Sequence, residues 1–271
     1  MVTMGNLFSG SGTWELAAQI CGMEVKFEAE IEKFPVAVEA KRFPNAIQLG
    51  DVSKIDGRDI PIVDFICNSS PCQDLSVAGN RAGLAGERSG LFDQSIRITK
   101  EMREHDEQLK RVTGADVPRG LIRPRIFGWE NVPGALSSGA EKGADFREVL
   151  SSIVEIVEEK HSDIPIPRGG WHNAGLLDGD GWQVAWRILD AQYVGGGTAQ
   201  RRRRLFVIAD FGGHRAGEIL FKPASVPWNY SAVMQAWKDT SRSLDERIAE
   251  ASRIIGCRTR SDENGSVTFS R

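Results

Sequence analysis

The 271-residue chain is 41% hydrophobic and 26% charged, an ordinary soluble balance with room for one large domain, or a large and a small one. A formal net charge of −3 excludes a globally basic nucleic-acid binder, so any such contact must come from a local basic surface. No stretch is long and apolar enough to cross a bilayer, and the four scattered cysteines form no CxxC pair, which argues against a zinc site or a disulfide framework.

The start, Met1-Val2-Thr3-Met4, lacks the basic and then apolar pattern of a signal peptide. Val2–Phe8 is predicted to be a strand, followed by the tight loop Ser9-Gly10-Ser11-Gly12 and a helix from Thr13 through Cys21 with Glu15 in its first turn. Val25–Ala29 is a second predicted strand, Phe34–Arg42 a second helix, Ala46–Leu49 a third strand and Ile62–Cys67 a buried fourth. A glycine-rich stretch from Asn68 to Gly90 precedes a helix over Leu91–Leu109. Lys110 to Pro124 reads as an exposed insertion and Arg125–Trp129 as a short strand running into Glu130-Asn131-Val132. Phe146–Glu159 has helical spacing, while Trp182–Leu189 and Leu205–Ala209 read as strands. Beyond residue 212 the pattern changes to a loop over Pro223–Tyr230, an amphipathic helix over Leu244–Ile255 and a polar, disordered end. Strands alternating with helices imply an α/β fold with a doubly wound, mainly parallel sheet covered on both faces.

Several segments fall where strands end. The Phe8-to-Gly12 loop can bring backbone N–H groups and a helix N-terminus toward a ligand, although a Gly-rich turn is equally a structural feature. Glu30 closes the second strand, where a carboxylate can accept from ribose hydroxyls or simply be solvated, and Asp51 is open in the same way. Ser70-Pro71-Cys72-Gln73 follows the buried strand, and Pro71 stiffens the turn that holds the thiol. The ordinary fate of a free cysteine is inert burial, and Cys67, inside the strand, fits that description. A reduced, cytoplasmic setting would keep the Cys72 thiol available. Gln200-Arg201-Arg202-Arg203-Arg204 enters a strand with Gln200, Arg202 and Arg204 on one side and Arg201 and Arg203 on the other. Taken alone, such a run is most often a solvated surface.

In this order the segments resemble the DNA cytosine-C5 methyltransferase family, over roughly residues 5 to 212. The resemblance implies an S-adenosylmethionine-dependent methyltransferase fold and methyl transfer to carbon 5 of cytosine in double-stranded DNA, yielding S-adenosylhomocysteine and needing no metal. It implies catalytic roles for Cys72, which forms a covalent bond to the flipped-out base, for Glu130 at its N3 and N4 edge, for Arg202 against the base and for Arg204 ordering Glu130 or the backbone nearby. Phe8, Ser9, Gly10, Ser11, Gly12, Glu30, Ile31, Asp51, Val52, Pro71 and Leu91 would hold the cofactor. Gln73, Ser76, Arg81, Arg88 and Gln200 would meet the nucleic acid, four of them in or beside a closing loop from Asp74 to Arg88.

Thr13 departs from the family's second consecutive glycine, and no Gly-Asn-Ser-Val element follows residue 212; Asn264-Gly265-Ser266-Val267 is a scrambled near-match. Residues 1–212 are thus expected to be the catalytic domain, and 213–271 an incomplete C-terminal segment, the start of a target-recognition region. A truncated form, a prophage-type fragment and one subunit of a split enzyme, whose second subunit supplies recognition, all fit that expectation. A transfer-RNA cytosine methylase, a non-catalytic binding remnant and a dinucleotide-dependent oxidoreductase are the competing readings; the last leaves the Pro-Cys-Gln turn unexplained. A restriction, phage-protection or other purpose is not readable from these residues.

Overall fold

A computed structural model describes residues 1–71, 90–111, 117–160, 163–193 and 200–221, with backbone strands at 258–261 and 267–270. The chain divides into two compact units, one of Met1–Asp190 with Arg202–Ser225 and the other of Ala191–Arg201 with Val226–Arg271.

The first unit is built on an eight-stranded sheet. Strands β1 (Thr3–Leu7), β2 (Glu24–Ala29), β3 (Ile47–Gln48), β4 (Phe65–Asn68) and β5 (Ile126–Asn131) are parallel. Strands β6 (Ala174–Gly179), β7 (Trp182–Asp190) and β8 (Arg203–Asp210) join through antiparallel pairings, giving the order β3-β2-β1-β4-β5-β8-β7-β6. The order reverses between β1 and β4, so the crevice beyond their carboxyl ends is the place where an open α/β sheet receives a ligand. Since β8 is antiparallel to β5, the beginning of β8 lies at that same edge.

Helices cover both faces. On one, Ala18 of α1 (Thr13–Ile20) packs with Met4, Val25 and Cys67. On the other, α3 (Leu91–Arg111) and α4 (Ala144–Val154) pack on Leu7, Phe27, Ile66 and Phe127. Helix α2 (Lys33–Arg42) links β2 to β3. In α3 the buried positions Phe92, Ile96, Thr99, Met102 and Asp106 recur every three or four residues, and each large apolar side chain among them contributes roughly 1.5–3 kcal/mol on burial. Gly5 on β1 is required by close approach: a Cβ there would lie 2.0 Å from the Phe27 ring. Under the antiparallel strands Phe146, Trp171 and Trp186 meet edge to face, with centroids 5.3–5.6 Å apart.

Several sequence expectations need correction. The third strand shrinks to Ile47–Gln48, and α4 ends at Val154, not Glu159. Strand β6, helix α5 (Ala216–Phe221) and the antiparallel pair β9 (Arg258–Ser261) and β10 (Val267–Ser270) were not foreseen, the last falling in a stretch expected to be disordered. Strand β6 carries little local signal because its burial alternates weakly and two of its six residues, Gly175 and Gly179, are glycines. The expected insertion is not uniformly exposed: Ile122 and Pro124 are buried, and Arg103 on α3 donates to both of their carbonyls at 3.0 and 2.5 Å. Asp106, also buried, accepts from the Arg123 amide at 2.7 Å. Residues 112–116, 223–230 and the helix expected over 244–255 lie outside the described residues.

A paired charge fastens the far end of β8. Arg125 donates from Nε and Nη2 to the two carboxylate oxygens of Asp210 at 2.8 and 2.9 Å, and Asp210 accepts the Gly212 and Arg215 amides at 3.1 Å each. Burial pushes the Asp210 carboxyl up, but the Arg125 hydrogen bonds and charge, with the two amides, hold it below its usual range. A depressed folded-state pKa gives stability that is present above the unfolded value and lost as pH falls through the folded one. Asp210→Asn is therefore expected to cost about 2–3 kcal/mol at neutral pH, below the range for a fully buried pair because Arg125 is partly solvated. Urea unfolding at neutral and acid pH checks this, and the gap to wild type should narrow in acid, where Asp210 itself takes up a proton.

Candidate active site

The carboxyl ends of β1, β2 and β3 place Phe8–Gly12, Glu30–Ile31 and Asp51–Val52 side by side. Phe8 leaves β1 at φ 63°, a left-handed turn uncommon outside glycine, with its ring against the core. The buried Ser9 donates its amide to the Ala29 carbonyl at 3.1 Å, which clamps the loop to the end of β2. Gly12 caps α1 at φ 78° with no side-chain cap, and a Cβ there would lie 2.5 Å from the Phe43 ring. Glu30 closes the turn from the opposite side: one carboxylate oxygen accepts the Gly10 amide at 2.9 Å and the other accepts the amides of Ile31 and Glu32 at 2.8 and 2.9 Å.

Asp51 caps a short 3-10 turn, Val52–Lys54, accepting the Ser53 amide at 2.9 Å and its hydroxyl at 2.7 Å, and these bonds hold the carboxyl below its usual range. Val52 is buried, Ile31 exposed, and Leu91 opens α3 packed against the core. Ser11 and Pro71 are exposed. The first ten of the expected cofactor residues thus stand on loops leaving β1 to β4.

The turn that leads from β4 to Cys72 is fixed from three directions. The buried Asn68 carboxamide accepts the Ser70 amide at 2.7 Å, and the Ser69 amide reaches the Leu7 carbonyl at 3.3 Å. Trp14 on α1 donates to the Ser69 hydroxyl at 3.0 Å, and Trp129 on β5 donates to the Ser70 hydroxyl at 3.2 Å. Asn131 donates to the Ser70 carbonyl at 3.2 Å. Cys72, Gln73, Ser76, Arg81 and Arg88 lie outside the described residues. Cys67 is fully buried, and burial pushes its thiol well up, so it is an inert core cysteine.

Sequence reading passed over Asn68, Trp14, Trp129 and Asn131. Asn131 lies inside the Glu130-Asn131-Val132 segment, but Trp14 and Trp129 stand 55 and 59 residues from the serines they hold, and no local signal links them. Asn131→Ala is expected to cost about 1–2 kcal/mol by thermal unfolding, since it strips the Ser70 carbonyl of its partner in a buried place.

Beside this turn Glu130, on β5, receives Arg204, on β8. The Arg204 Nε lies 2.9 Å from the Glu130 carboxylate, with both side chains about three-quarters buried. The register explains the meeting: Glu130 opposes Phe206, so Arg204 sits one diagonal step away on the same face. Arg202 is exposed, and its amide donates to the Asp190 carboxylate at 3.1 Å. Arg203, also exposed, opposes Asp190. Gln200 belongs to the second unit and is exposed there.

Residues 2–157 match the family model for C-5 cytosine-specific DNA methylase. Among curated relatives, the chain is 33% identical over 227 residues to a protein of Escherichia phage P1 named DNA N-6-adenine-methyltransferase, covering 76% of this chain and 28% of that one. It is 34% identical over 204 residues to the Type II methyltransferase M2.BsuMI of Bacillus subtilis, covering 75% and 41%. To the orphan methyltransferase M.Rho11sI of Bacillus phage rho11s it is 31% identical over 195 residues, covering 66% and 34%. The chain spans about 28–44% of the length of the relatives it matches first. The S. pombe Dnmt2 methyltransferase structure shares the fold at TM-score 0.50 and 14% identity, over 84% of this chain and 57% of its own.

Proposed function

The chain belongs to the C-5 cytosine-specific DNA methylase family, and on that premise we propose that it methylates carbon 5 of cytosine in DNA through a covalent bond from the Cys72 thiolate. The observation that carries this reading is the convergence at one sheet edge: the Glu130–Arg204 pair stands beside a turn that five hydrogen bonds hold in place just before Cys72.

Carbon 5 of cytosine is a weak nucleophile. A thiolate that adds to carbon 6 turns the ring into an enamine, and carbon 5 then attacks an electrophile. Loss of the carbon 5 proton and expulsion of the thiolate restore the aromatic ring and free the enzyme. Glu130 would hold a proton at N3 and so relieve the negative charge on the ring, while accepting from the exocyclic amine. Arg204 would keep the Glu130 carboxylate oriented, and the exposed Arg202 would contact the base. The target must leave the duplex, at a cost of a few kcal/mol.

When bound, S-adenosylmethionine supplies a methyl group on a sulfonium. The residues present fit it. An uncapped helix N-terminus after Gly12 suits a carboxylate, Glu30 stands where a ribose diol would lie, and Phe8 with the buried Val52 offers an apolar wall for adenine. Ser9, Gly10, Ser11, Ile31, Asp51, Pro71 and Leu91 complete that edge. Gln73, Ser76, Arg81, Arg88 and Gln200 are assigned to the DNA. Residues 1–212 would carry the chemistry, and target choice would fall to 213–271 or to a second subunit.

The name of the phage P1 relative favours a second reading, methylation of the adenine amine. An exocyclic amine attacks directly and needs no thiolate, so the two readings part at Cys72. Incubation with S-adenosylmethionine and duplex DNA carrying 5-fluorocytosine tests them, because fluorine cannot leave as the proton does and the adduct is trapped. The expected result is a covalent protein–DNA adduct, with 5-methylcytosine recovered from unmodified DNA. Methylated adenine with no adduct would favour the second reading, and neither product would overturn both.

A further inference from the structure

Beneath the Phe8–Gly12 loop lies a polar row that the proposed chemistry does not use. The parallel register sets Asn6 on β1 opposite Glu28 on β2, and Glu28 opposite Gln48 on β3, all on one face. Glu15 of α1 and Glu39 of α2 come down onto this row. Asn6, Glu15, Glu28 and Glu39 have no exposed surface. One oxygen from each carboxylate lies within 4.8 Å of the others, the one such grouping among the described residues.

The hydrogen bonding does not close. The Asn6 carboxamide donates to Glu15 at 2.7 Å, and the Gln48 carboxamide donates to Glu28 and Glu39 at 2.6 and 2.9 Å. That leaves five buried oxygens without a donor: Asn6 Oδ1, Glu15 Oε2, Glu28 Oε2, Glu39 Oε1 and Gln48 Oε1. Buried acceptors without a partner are uncommon in native proteins, and five in one place call for a missing partner. Asn6 is the informative member, since it is uncharged, wholly buried and tied into the cluster through its nitrogen, yet its oxygen is unpartnered.

Protons alone serve poorly. Burial raises Glu15 to about 7 and Glu28 to about 8, the charge on Glu39 adding to both. Protons on these two would donate to two further oxygens and still leave one of the five unsatisfied. A single cation among them would draw on all five as ligands. The ligand set is oxygen only, which suits a hard divalent ion. A wholly buried set of protein oxygens suits calcium, which accepts an all-protein cage of carboxylates and carbonyls, better than magnesium, which keeps several of its waters.

We propose that Glu15, Glu28 and Glu39, with the carboxamide oxygens of Asn6 and Gln48, form a calcium-type divalent cation site that ties α1 and α2 to β1, β2 and β3 under the cofactor loop. No metal was expected from the sequence, because the acids lie 13 and 11 positions apart and form no motif. The site is independent of which base is methylated. Its ligands sit two residues before Phe8, three after Gly12 and two before Glu30, so the ion would brace the loop from below.

The test uses the whole chain stripped with chelator, titrated calorimetrically with calcium chloride and separately with magnesium chloride at fixed pH, and followed by thermal unfolding. One equivalent of calcium should bind more tightly than magnesium and raise the Tm. Glu28→Gln and Glu39→Gln, nearly isosteric and checked for folding by circular dichroism, should each weaken binding by at least about tenfold. Absence of calcium binding by the folded wild-type chain would overturn the site. So would calcium binding that both glutamine variants retain. Infrared bands of protonated carboxyls in the calcium-loaded chain, lost in Glu28→Gln, would instead establish a proton-sharing cluster.

Discussion

Cys72→Ser should lower methyl transfer to DNA on the order of 10⁴-fold or more, and no adduct with 5-fluorocytosine DNA should form. The magnitude follows from chemistry, not from folding. A hydroxyl is far harder to ionise than a thiol and adds feebly to a pyrimidine ring, whereas every other contribution to the rate is retained. The structural reason to expect a clean result lies in the preceding turn. Ser69 and Ser70 are held by Leu7, Trp14, Asn68, Trp129 and Asn131, neighbours that the substitution leaves alone. Unfolding in urea should therefore be unchanged within about 0.5 kcal/mol. Methyl incorporation from labelled S-adenosylmethionine, measured with adduct formation on a denaturing gel, checks the expectation. Retained methyl transfer in the serine variant would place the nucleophile elsewhere.

The second large effect is expected at Glu130. Glu130→Gln keeps the size of the side chain and one acceptor but cannot share a proton with the base, so kcat should fall about 10²–10⁴-fold. Arg204 contacts Glu130, and its removal should cost activity without costing much stability, because a partly exposed pair contributes about 1 kcal/mol or less. The diagnostic is coupling. If Arg204 positions Glu130, Arg204→Ala adds little once Glu130→Gln is present, and a double-mutant cycle on kcat/KM returns an interaction of roughly 0.5–3 kcal/mol. Additive losses would mean that the arginine meets the substrate by itself.

Some of this site was legible in the residues. Pro71 before Cys72, a Gly-rich turn after β1 and carboxylates at strand ends are local features, governed by dihedral preference and by the two-residue period of a strand. The partner of Glu130 was named through family resemblance, but its geometry was not legible. Nothing near Arg204 announces that β8 runs antiparallel to β5, and only that direction brings the start of one strand beside the end of the other. The supporting hydrogen bonds were hidden for a similar reason. Trp14 and Trp129 stand far from Ser69 and Ser70 in the chain, so their role depends on which strands are neighbours.

The buried acids show the boundary most sharply. Glu15 reads locally as an acid in the first turn of a helix, where the dipole favours it, while Glu28 falls inside a predicted strand and Glu39 inside a predicted helix, with nothing local to join them. Register across three strands and the seating of two helices turn them into one buried cluster.

By itself, the sequence determined the parallel βα core, the family and the strand-end turns, because hydrophobic period and turn residues act over a few positions. Tertiary structure decided strand order and direction, and with them the Glu130–Arg204 contact, the bracing of the turn before Cys72 and the gathering of Glu15, Glu28 and Glu39. Those depend on long-range pairing, which no local preference encodes.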